Sequence, residues 1–285
     1  MTSAADAGEV LLGHIEVNRL GFGAMRITGA GIWGEPRSAS EAKAVLRKAV
    51  DLGVNFIDTA HAYGPEVSER LIAEALHPYP DGLVITTKSG QQRGGPDNWF
   101  PDGRPETLRR ECERSLTLLR LEQIPLFQLH RPDPAVAIEE SVGELRRLQE
   151  EGKIASIGVS NVDLEQFERC LAVAEIVSVQ NRYSLYERSS ENVLRACESR
   201  RIVFIPWSPL GGGEDAADGK VREIAARTGA TSAQVIIAWL LARSALMLPI
   251  PGTASVDHLV ENVAAAAIHL DSVDVAALDR AAFAP

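Results

Sequence analysis

The chain has 285 residues, of which 45% are hydrophobic and 24% charged, and its formal net charge is −10. This ordinary balance excludes the disordered and fibrous classes. The negative charge argues against a nucleic-acid partner, because binding to phosphates depends on clustered Lys and Arg. Apolar runs such as Val235–Ala242 are far shorter than the ~20 residues of a membrane span, so no membrane partner is expected.

The cysteines and the first residues bear on the cellular compartment. Cys112, Cys170 and Cys197 are odd in number and widely spaced, and each falls in a helical pattern. This spacing indicates buried, reduced thiols rather than a disulfide framework. The segment Met1–Val10 is polar and acidic, unlike a secretory signal. We therefore expect a cytoplasmic protein.

Short apolar runs recur along the whole chain. The first two, Val10–Leu12 and Ile15–Val17, flank Gly13 and His14 and predict a β-hairpin. The later runs show little alternation, which is typical of parallel strands buried on both faces. These runs are Leu20–Gly23, Asn55–Asp58, Val84–Thr87, Leu126–Leu129, Ile154–Val159, Ile176–Val179, Ile202–Pro206 and Leu246–Ile250.

Amphipathic stretches with helical spacing separate these runs. Apolar residues fall on one helix face at Leu108, Cys112, Leu116 and Leu119, and again at Ile138, Val142, Leu145 and Leu148. Eight strands alternating with helices predict an α/β fold, a (β/α)8 TIM barrel preceded by the hairpin. A doubly wound sheet has the same alternation, so the pattern alone leaves that fold open. No linker interrupts residues 1–285, and we expect one domain.

Two connections are unusually long for loops that follow barrel strands. Residues 24–38 and 90–104 are rich in Gly and Pro, and they contain Trp33 and Trp99. In a barrel, both would rise from the face where active sites are found. The alternative is a pair of disordered surface loops. Large aromatic side chains favour the first interpretation, a substrate wall that includes Trp33 and Trp99.

Polar side chains end several predicted strands and suggest a catalytic cluster. Asp58 ends one strand and Tyr63 follows it, while Lys88 and His130 end the next two. A phenol is a poor acid at neutral pH unless a nearby cation stabilises the phenolate. Lys88, kept charged by Asp58, would supply that cation, and Tyr63 could protonate a carbonyl oxygen while His130 orients it.

The sequence provides no obvious nucleophile for this cluster. The segment Gly21–Arg26 begins like a dinucleotide fingerprint but has Arg where the third glycine belongs, so a Rossmann site is poorly supported. The His and Cys residues lack metal-ligand spacing, and no metal is expected. A hydride from a cofactor is the natural attacking group.

Seven motifs of the chain resemble those of the aldo-keto reductase superfamily, in the same order. They are FIDTAHAYG, ITTKSG, FQLHRPD, GKIASIGVSN, VSVQNRYS, PWSPLGGG and IPGTASVDHLVEN. The resemblance implies a (β/α)8 barrel that binds an extended NAD(P)H without a Rossmann domain and reduces a small-molecule carbonyl substrate. It also implies that Asp58, Tyr63, Lys88 and His130 form a catalytic tetrad, with Tyr63 as the general acid.

The resemblance further implies a set of cofactor-binding residues. Asp58 belongs to this set, and Ser160, Asn161 and Gln180 match the positions that bind the nicotinamide carboxamide. Trp207 matches the aromatic residue that stacks on the nicotinamide. The remaining matches are Gly23, Ala24 and Met25 beside the ribose, Ser208, Leu210 and Gly211 at the pyrophosphate (with Gly212 and Gly213 beyond), and Gly252, Thr253, His258, Glu261 and Asn262 at the adenine end.

The adenine end departs from the pattern of many NADPH-preferring members. Gly252 and His258 stand where a Lys and an Arg usually bind the 2′-phosphate, which weakens the charge-based case for selectivity. Backbone amides at the start of the following helix could still bind this phosphate. We expect NADPH as the cofactor, with NADH as the alternative.

The segments NRLGFGAMRITGAGIWGEP and YGPEV are similar to those of bacterial pyridoxal reductase-like members. The resemblance implies pyridoxal or another aromatic aldehyde as the substrate. Two alternatives are an NADP(H)-binding regulatory barrel with little turnover and a Schiff-base lyase in which Lys88 is the nucleophile. We expect a monomer or a small homo-oligomer.

Overall fold

Seven parallel strands form the central sheet of the protein. The computed structural model describes residues 2–211 and 218–281. The strands of the central sheet are β3 (Phe22–Gly23), β4 (Phe56–Asp58), β5 (Val84–Ser89), β8 (Ile124–Leu129), β9 (Ile154–Ser160), β10 (Ile176–Arg182) and β11 (Val203–Trp207). They pair in the order β3-β4-β5-β8-β9-β10-β11, and every pairing is parallel. The curled sheet confirms the predicted barrel rather than a doubly wound fold.

The predicted eighth strand, Leu246–Ile250, closes the barrel without forming a regular strand. On one side, Phe204 of β11 donates to the Leu246 carbonyl at 2.9 Å and accepts from Leu248 at 2.9 Å. On the other side, Gly21 donates to the Pro249 carbonyl at 3.0 Å, next to β3. The ladder stops at one bridge because Pro249 and Pro251 have no N–H to donate.

The predicted hairpin lies at the end of the barrel where the strands begin. It consists of β1 (Glu9–Leu12) and β2 (Ile15–Asn18), paired antiparallel. Leu12 and Val17 are buried in one apolar cluster with Phe56, Val84 and Val203, which are the first residues of β4, β5 and β11. The hairpin therefore closes the N-terminal end of the barrel and leaves the C-terminal end for chemistry.

Helices cover the outside of the sheet. They are α1 (Ala39–Asp51), α2 (Val67–Leu76), α3 (Pro105–Leu119), α4 (Ile138–Glu150), α5 (Leu164–Leu171), α6 (Glu191–Arg200), α7 (Gly219–Thr228), α8 (Ser232–Arg243), α9 (Val256–Ala264) and α10 (Ser272–Ala281). The apolar residues predicted to line one face of α3 and one face of α4 pack against the core. Leu116 on α3 is partly exposed, and the other seven residues of these two stripes are buried. The three cysteines are free and buried on α3, α5 and α6, as predicted.

Two consecutive helices, α7 and α8, are together long and apolar enough to match a membrane span in length and composition. This pair is bent by 96° at its break, and no single helix within residues 2–211 and 218–281 matches such a span.

The hairpin offers a matched test of the closed end. Leu12 is 0% exposed and its neighbour Leu11 is 59% exposed. We expect Leu12→Ala to lower the free energy of unfolding by about 2–5 kcal/mol, because it leaves a cavity in the plug. Leu11→Ala, the control, should change it by less than about 0.5 kcal/mol. Urea unfolding of both variants measures the difference, and equal losses would contradict the plug.

Candidate active site

A buried ion pair lies at the C-terminal end of the barrel. Lys88 on β5 donates from Nζ to Asp58 Oδ2 at 2.7 Å and to the Thr59 carbonyl at 2.8 Å. Both charged side chains are excluded from solvent. Burial, the largest single effect, lowers the pKa of Lys88, but the charges of Asp58 and Tyr63 and the hydrogen bonds to them together outweigh it, and the pKa is raised. The lysine therefore stays protonated.

Two amides hold the second oxygen of Asp58. Oδ1 accepts from Gln180 Nε2 at 2.8 Å and from Gln128 Nε2 at 3.3 Å. Gln128 also donates to the Thr86 hydroxyl at 3.1 Å. Sequence reasoning overlooked Gln128, although a polar residue in the apolar run LFQLH, two positions before His130, was the available signal.

Tyr63 lies in the connection after β4 and faces this ion pair. Its ring centroid is 5.2 Å from Lys88 Nζ, and the phenol is buried. Burial raises the pKa of Tyr63, while the positive charge of Lys88 opposes that rise. The phenol is therefore protonated at neutral pH, and the lysine nearby would stabilise its conjugate base.

His130 meets the same group from the end of β8. Its ring stands edge-on to that of Tyr63, with centroids 5.8 Å apart. Burial, followed by the positive charges of Lys88 and Arg131, holds the pKa of His130 well below its usual value. Its Nδ1 is buried and has no hydrogen-bond partner within the part of the chain that the structure describes. The structure thus brings together the four predicted side chains, with a neutral imidazole among them.

Asn161, the residue that follows β9, links the ends of β8, β9 and β11 next to these four side chains. Asn161 donates from Nδ2 to the His130 carbonyl at 2.9 Å and to Ser160 Oγ at 2.9 Å, and its Oδ1 accepts from Trp207 Nε1 at 3.1 Å. Asn161 has φ 59°, a left-handed conformation that is uncommon outside glycine. Ser160, Asn161, Gln180 and Trp207 therefore lie side by side at the ends of β9, β10 and β11.

The chain also turns sharply after β11. Ser208 has φ 54° and Gly211 has φ 57°, and the Gly211 N–H donates to the Ser208 carbonyl at 3.0 Å. Leu210 between them is partly buried against the core. The predicted continuation at Gly212 and Gly213 lies outside the described residues.

Gly23, at the end of β3, contacts Gly252 in the segment predicted to bind the adenine end of the cofactor. A Cβ atom on Gly252 would lie 2.4 Å from the Gly23 carbonyl oxygen, and one on Gly23 would lie 2.7 Å from the Ile250 carbonyl oxygen. Gly252 is therefore required by packing, and a Lys at this position would force the two segments apart. Ala24 is buried beside Gly23, and Met25 is half-buried.

The remaining adenine-end residues belong to the start of α9 or pack behind it. Thr253 Oγ1 accepts from Ser255 N at 3.0 Å, and His258 is exposed on the first turn. Glu261 faces α8, where it accepts from the Thr231 hydroxyl at 2.6 Å, and Asn262 is buried. Among these residues, His258 is the side chain most open to solvent.

The two long loops are ordered and touch each other. Residues 90–104 contain a hairpin, β6 (Gln91–Gly95) and β7 (Asn98–Pro101), and residues 24–38 contain two 3-10 helices. Trp33, 36% exposed, forms a bridge with Gly64, next to Tyr63. Trp99 on β7 packs against Arg93, which sequence reasoning did not single out. The alternative of disordered surface loops is wrong.

A second buried group of titratable residues supports the Tyr63 connection. His61 donates its backbone N–H to the Lys88 carbonyl at 3.0 Å, and its Nδ1 lies 3.6 Å from Glu69 Oε2. Burial lowers the pKa of His61, but Glu69, with Glu111 and Glu66, outweighs that effect and raises it. Sequence reasoning missed this group, because Glu69 and Glu111 meet His61 only through the fold.

No group of three or more His, Cys, Asp or Glu side chains suited to a metal ion occurs among residues 2–211 and 218–281. The protonated, ion-paired Lys88 has no lone pair with which to attack a carbonyl. This geometry does not favour a Schiff-base lyase.

The sequence is similar to a known protein family and to named proteins of other organisms. The Aldo/keto reductase family matches residues 19–282. The chain is 46% identical over 278 residues to an uncharacterized oxidoreductase of Schizosaccharomyces pombe, covering 97% of this chain and 90% of that protein. It is 41% identical over 275 residues to the pyridoxine 4-dehydrogenase of Escherichia coli, covering 94% and 96%.

Solved structures of related proteins share this architecture. An aldo-keto reductase from Klebsiella pneumoniae in complex with NADPH superposes with a TM-score of 0.85 at 27% identity, covering 100% of this chain and 96% of that chain. The glycerol dehydrogenase of Gluconobacter oxydans gives 0.86 at 26% identity, covering 96% and 95%. These neighbours agree with the barrel described above.

The pKa values of two partly buried histidines, His61 and His130, should be shifted in opposite directions. We expect the NMR signal of His61 to titrate above the ordinary pKa of about 6.5 and that of His130 below it. The stabilisation from His61 is present below about pH 6.5 and is lost as pH rises through its folded-state pKa. For His130, stabilisation is lost as pH falls below about 6.5.

Signals can be assigned with His61→Gln and His130→Gln. Glu69→Gln, which removes the neighbouring charge, should lower the pKa of His61 and leave His130 unchanged. A His130 signal that titrates near its ordinary value would contradict the desolvated imidazole.

Proposed function

This chain belongs to the aldo/keto reductase family, and from that membership we propose that it reduces an aldehyde to an alcohol with NADPH. Family membership makes it an oxidoreductase. The observation that carries the specific proposal is the buried Asp58–Lys88 pair beneath a protonated Tyr63. This arrangement suits delivery of a proton to a carbonyl oxygen.

The residues at the open end of the barrel fit a nicotinamide dinucleotide. Gly252 is exposed and carries no side chain, and the chain turns in a left-handed conformation at Ser208 and Gly211, so backbone is accessible at both places. Trp207 is half-buried and presents an aromatic ring at the end of β11. A Klebsiella pneumoniae neighbour binds NADPH. When bound, the nicotinamide supplies the hydride.

Tyr63 acts as the proton donor in this proposal. Its raised pKa keeps the proton on the phenol until a carbonyl oxygen gains charge. Lys88 then stabilises the phenolate that remains, and Asp58 keeps Lys88 charged and in place. Gln180 and Gln128 fix the Asp58 carboxylate from the other side.

His130 orients the carbonyl. As a neutral imidazole it has one N–H to donate, and it offers that donor without adding a second positive charge beside Lys88. Asn161 holds the His130 backbone through its carbonyl at 2.9 Å. The ring is thereby fixed next to Tyr63 before substrate arrives.

An aromatic aldehyde such as pyridoxal is the proposed substrate. The support is the 41% identity to the E. coli pyridoxine 4-dehydrogenase and the presence of Trp33 and Trp99 at the rim. Three free, buried cysteines support a cytoplasmic location. We propose that the protein is a monomer or a small homo-oligomer, and that its ligands are the cofactor and a small carbonyl compound.

Removing the phenol oxygen tests the proton donor. We expect Tyr63→Phe to lower kcat for aldehyde reduction by about 10²–10⁴-fold, since only proton donation is lost. Loss of 340 nm absorbance follows the reaction, and quenching of protein fluorescence should show unchanged NADPH binding. Tyr79→Phe is the matched control, because this half-buried phenol donates to the Leu119 carbonyl at 2.7 Å and its ring stands edge-on to His77. Native turnover by Tyr63→Phe would falsify the assignment.

A cation on α9 tests the contact to the 2′-phosphate. His258→Arg should tighten NADPH binding about five- to tenfold through a charged hydrogen bond, and NADH binding less than about twofold. Fluorescence titrations at low and high salt measure both, and the gain should shrink with salt. His269→Arg, another exposed histidine, is the control. Equal effects on the two cofactors would place His258 away from the phosphate.

A further inference from the structure

One guanidinium joins three segments around the open end of the barrel. Arg93 donates from Nη1 to the Ile32 carbonyl at 2.6 Å and from Nη2 to the Gly31 carbonyl at 2.7 Å. It also reaches the Gly95 carbonyl at 3.2 Å and the Ala62 carbonyl at 3.5 Å. These carbonyls belong to the 24–38 loop, to its own hairpin and to the connection that contains Tyr63.

The same guanidinium lies against both rim tryptophans. Its Cζ atom is 3.6 Å from the ring centroid of Trp99 and 5.6 Å from that of Trp33. A planar guanidinium stacks well on an aromatic face, which an ammonium group does not do. One side chain therefore sets the positions of the two aromatic rings relative to each other.

The backbone of the 24–38 loop is shaped to meet this cation. Gly31 and Ile32 are consecutive residues with φ 64° and φ 56°, and both carbonyls accept from Arg93. A left-handed Ile is a genuine outlier, because its branched Cβ crowds the backbone. A Cβ atom on Gly31 would lie 3.2 Å from the Asp97 carboxylate, so the hairpin turn also packs directly on this loop.

Arg93 is partly buried, and its terminal N–H groups already have acceptors within the protein. Four of its N–H donations go to backbone carbonyls, and the buried Nε has no acceptor among residues 2–211 and 218–281. The surface facing the barrel mouth is therefore aromatic, and Arg93 contributes to it by position rather than by charge.

We propose that Arg93 is a positioning residue that fixes Trp33 and Trp99 beside Tyr63, so that the site prefers flat aromatic aldehydes to small aliphatic ones. This inference rests on the proposed reductase function. It adds a specificity device that spans two loops and the connection that contains the proton donor.

The test compares Arg93→Ala and Arg93→Lys with the wild-type protein in the presence of NADPH. For 4-nitrobenzaldehyde we expect KM to rise about tenfold or more, because a wall displaced by about 1 Å loses the productive pose. For propanal, kcat/KM should change less than about threefold, since a small substrate makes little use of the wall. Arg93→Lys should resemble Arg93→Ala, because an ammonium lacks the planar fork.

Two readouts do not depend on turnover. Hydrogen exchange of the amides in residues 29–34 and 91–101 should be at least about tenfold faster in Arg93→Ala, because the carbonyl contacts are lost. The dissociation constant for NADPH should stay within about twofold. Arg146→Ala is the matched control: this exposed arginine on α4 pairs with Glu150, at 2.9 Å, and its removal should change none of these values.

An anionic substrate separates a positioning role from direct binding. With 4-carboxybenzaldehyde, Arg93→Ala should lose no more activity than with 4-nitrobenzaldehyde. A distinctly larger loss would identify Arg93 as an anion receptor and overturn the proposal. If Arg93→Ala does not fold, Trp99→Leu removes the stacked face and leaves the carbonyl contacts, and it should show the same selective loss.

The outcomes distinguish this inference from the proposed function. Wild-type protein that reduces neither aldehyde contradicts the reductase proposal, and unchanged hydrogen exchange in Arg93→Ala then overturns the positioning role separately. Wild-type turnover with an unchanged ratio of the two aldehydes in the variants overturns only the role of Arg93. Parallel losses for both aldehydes would indicate a purely structural residue, and this also overturns it.

Discussion

The open end of the barrel depends on one buried ion pair. Asp58 and Lys88 lie on neighbouring strands, and neither charge reaches water. Removing one partner of such a pair leaves an unpaired buried charge, which costs about 3–5 kcal/mol. Hydrogen bonds from Lys88 to the Thr59 carbonyl, and from Gln180 and Gln128 to Asp58, stabilise the two buried charges further. They hold the carboxylate and the ammonium group in a single geometry. Every other feature of the site is positioned around that arrangement.

The two ends of the barrel divide stability from chemistry. At the N-terminal end, apolar hairpin residues such as Leu12 and Val17 fill the space between strand beginnings. At the C-terminal end, β4, β5, β9, β10 and β11 stop at polar or aromatic residues, and the chain turns in left-handed conformations at Asn161 and Ser208. Such conformations cost about 1–3 kcal/mol each and persist where the surroundings enforce them. At Asn161 the enforcing contacts are the Trp207 indole N–H and the His130 carbonyl.

The long loops work as one structure because their polar backbone is satisfied across segments. A β-bridge joins Trp33 to Gly64, and Arg93 supplies donors to carbonyls from three segments. Glu35 extends this network outward through an ion pair with Arg70 on α2, at 2.5 Å. A pair of loops rich in glycine thus presents ordered aromatic rings at the mouth of the barrel. In the role proposed for Arg93, the order of this rim would link the fold to substrate choice.

The sequence by itself determined the alternation of strands and helices, the closing hairpin and the four polar residues at strand ends. These features are local: they follow from the period of apolar residues and from the residue type at the end of each run. The tertiary structure decided barrel closure at Leu246–Ile250, the part of Gln128, the steric need for glycine at Gly252 and the role of Arg93. Each of these is a contact between residues far apart in the chain, and no local periodicity records which distant carbonyl, carboxylate or ring a side chain will meet.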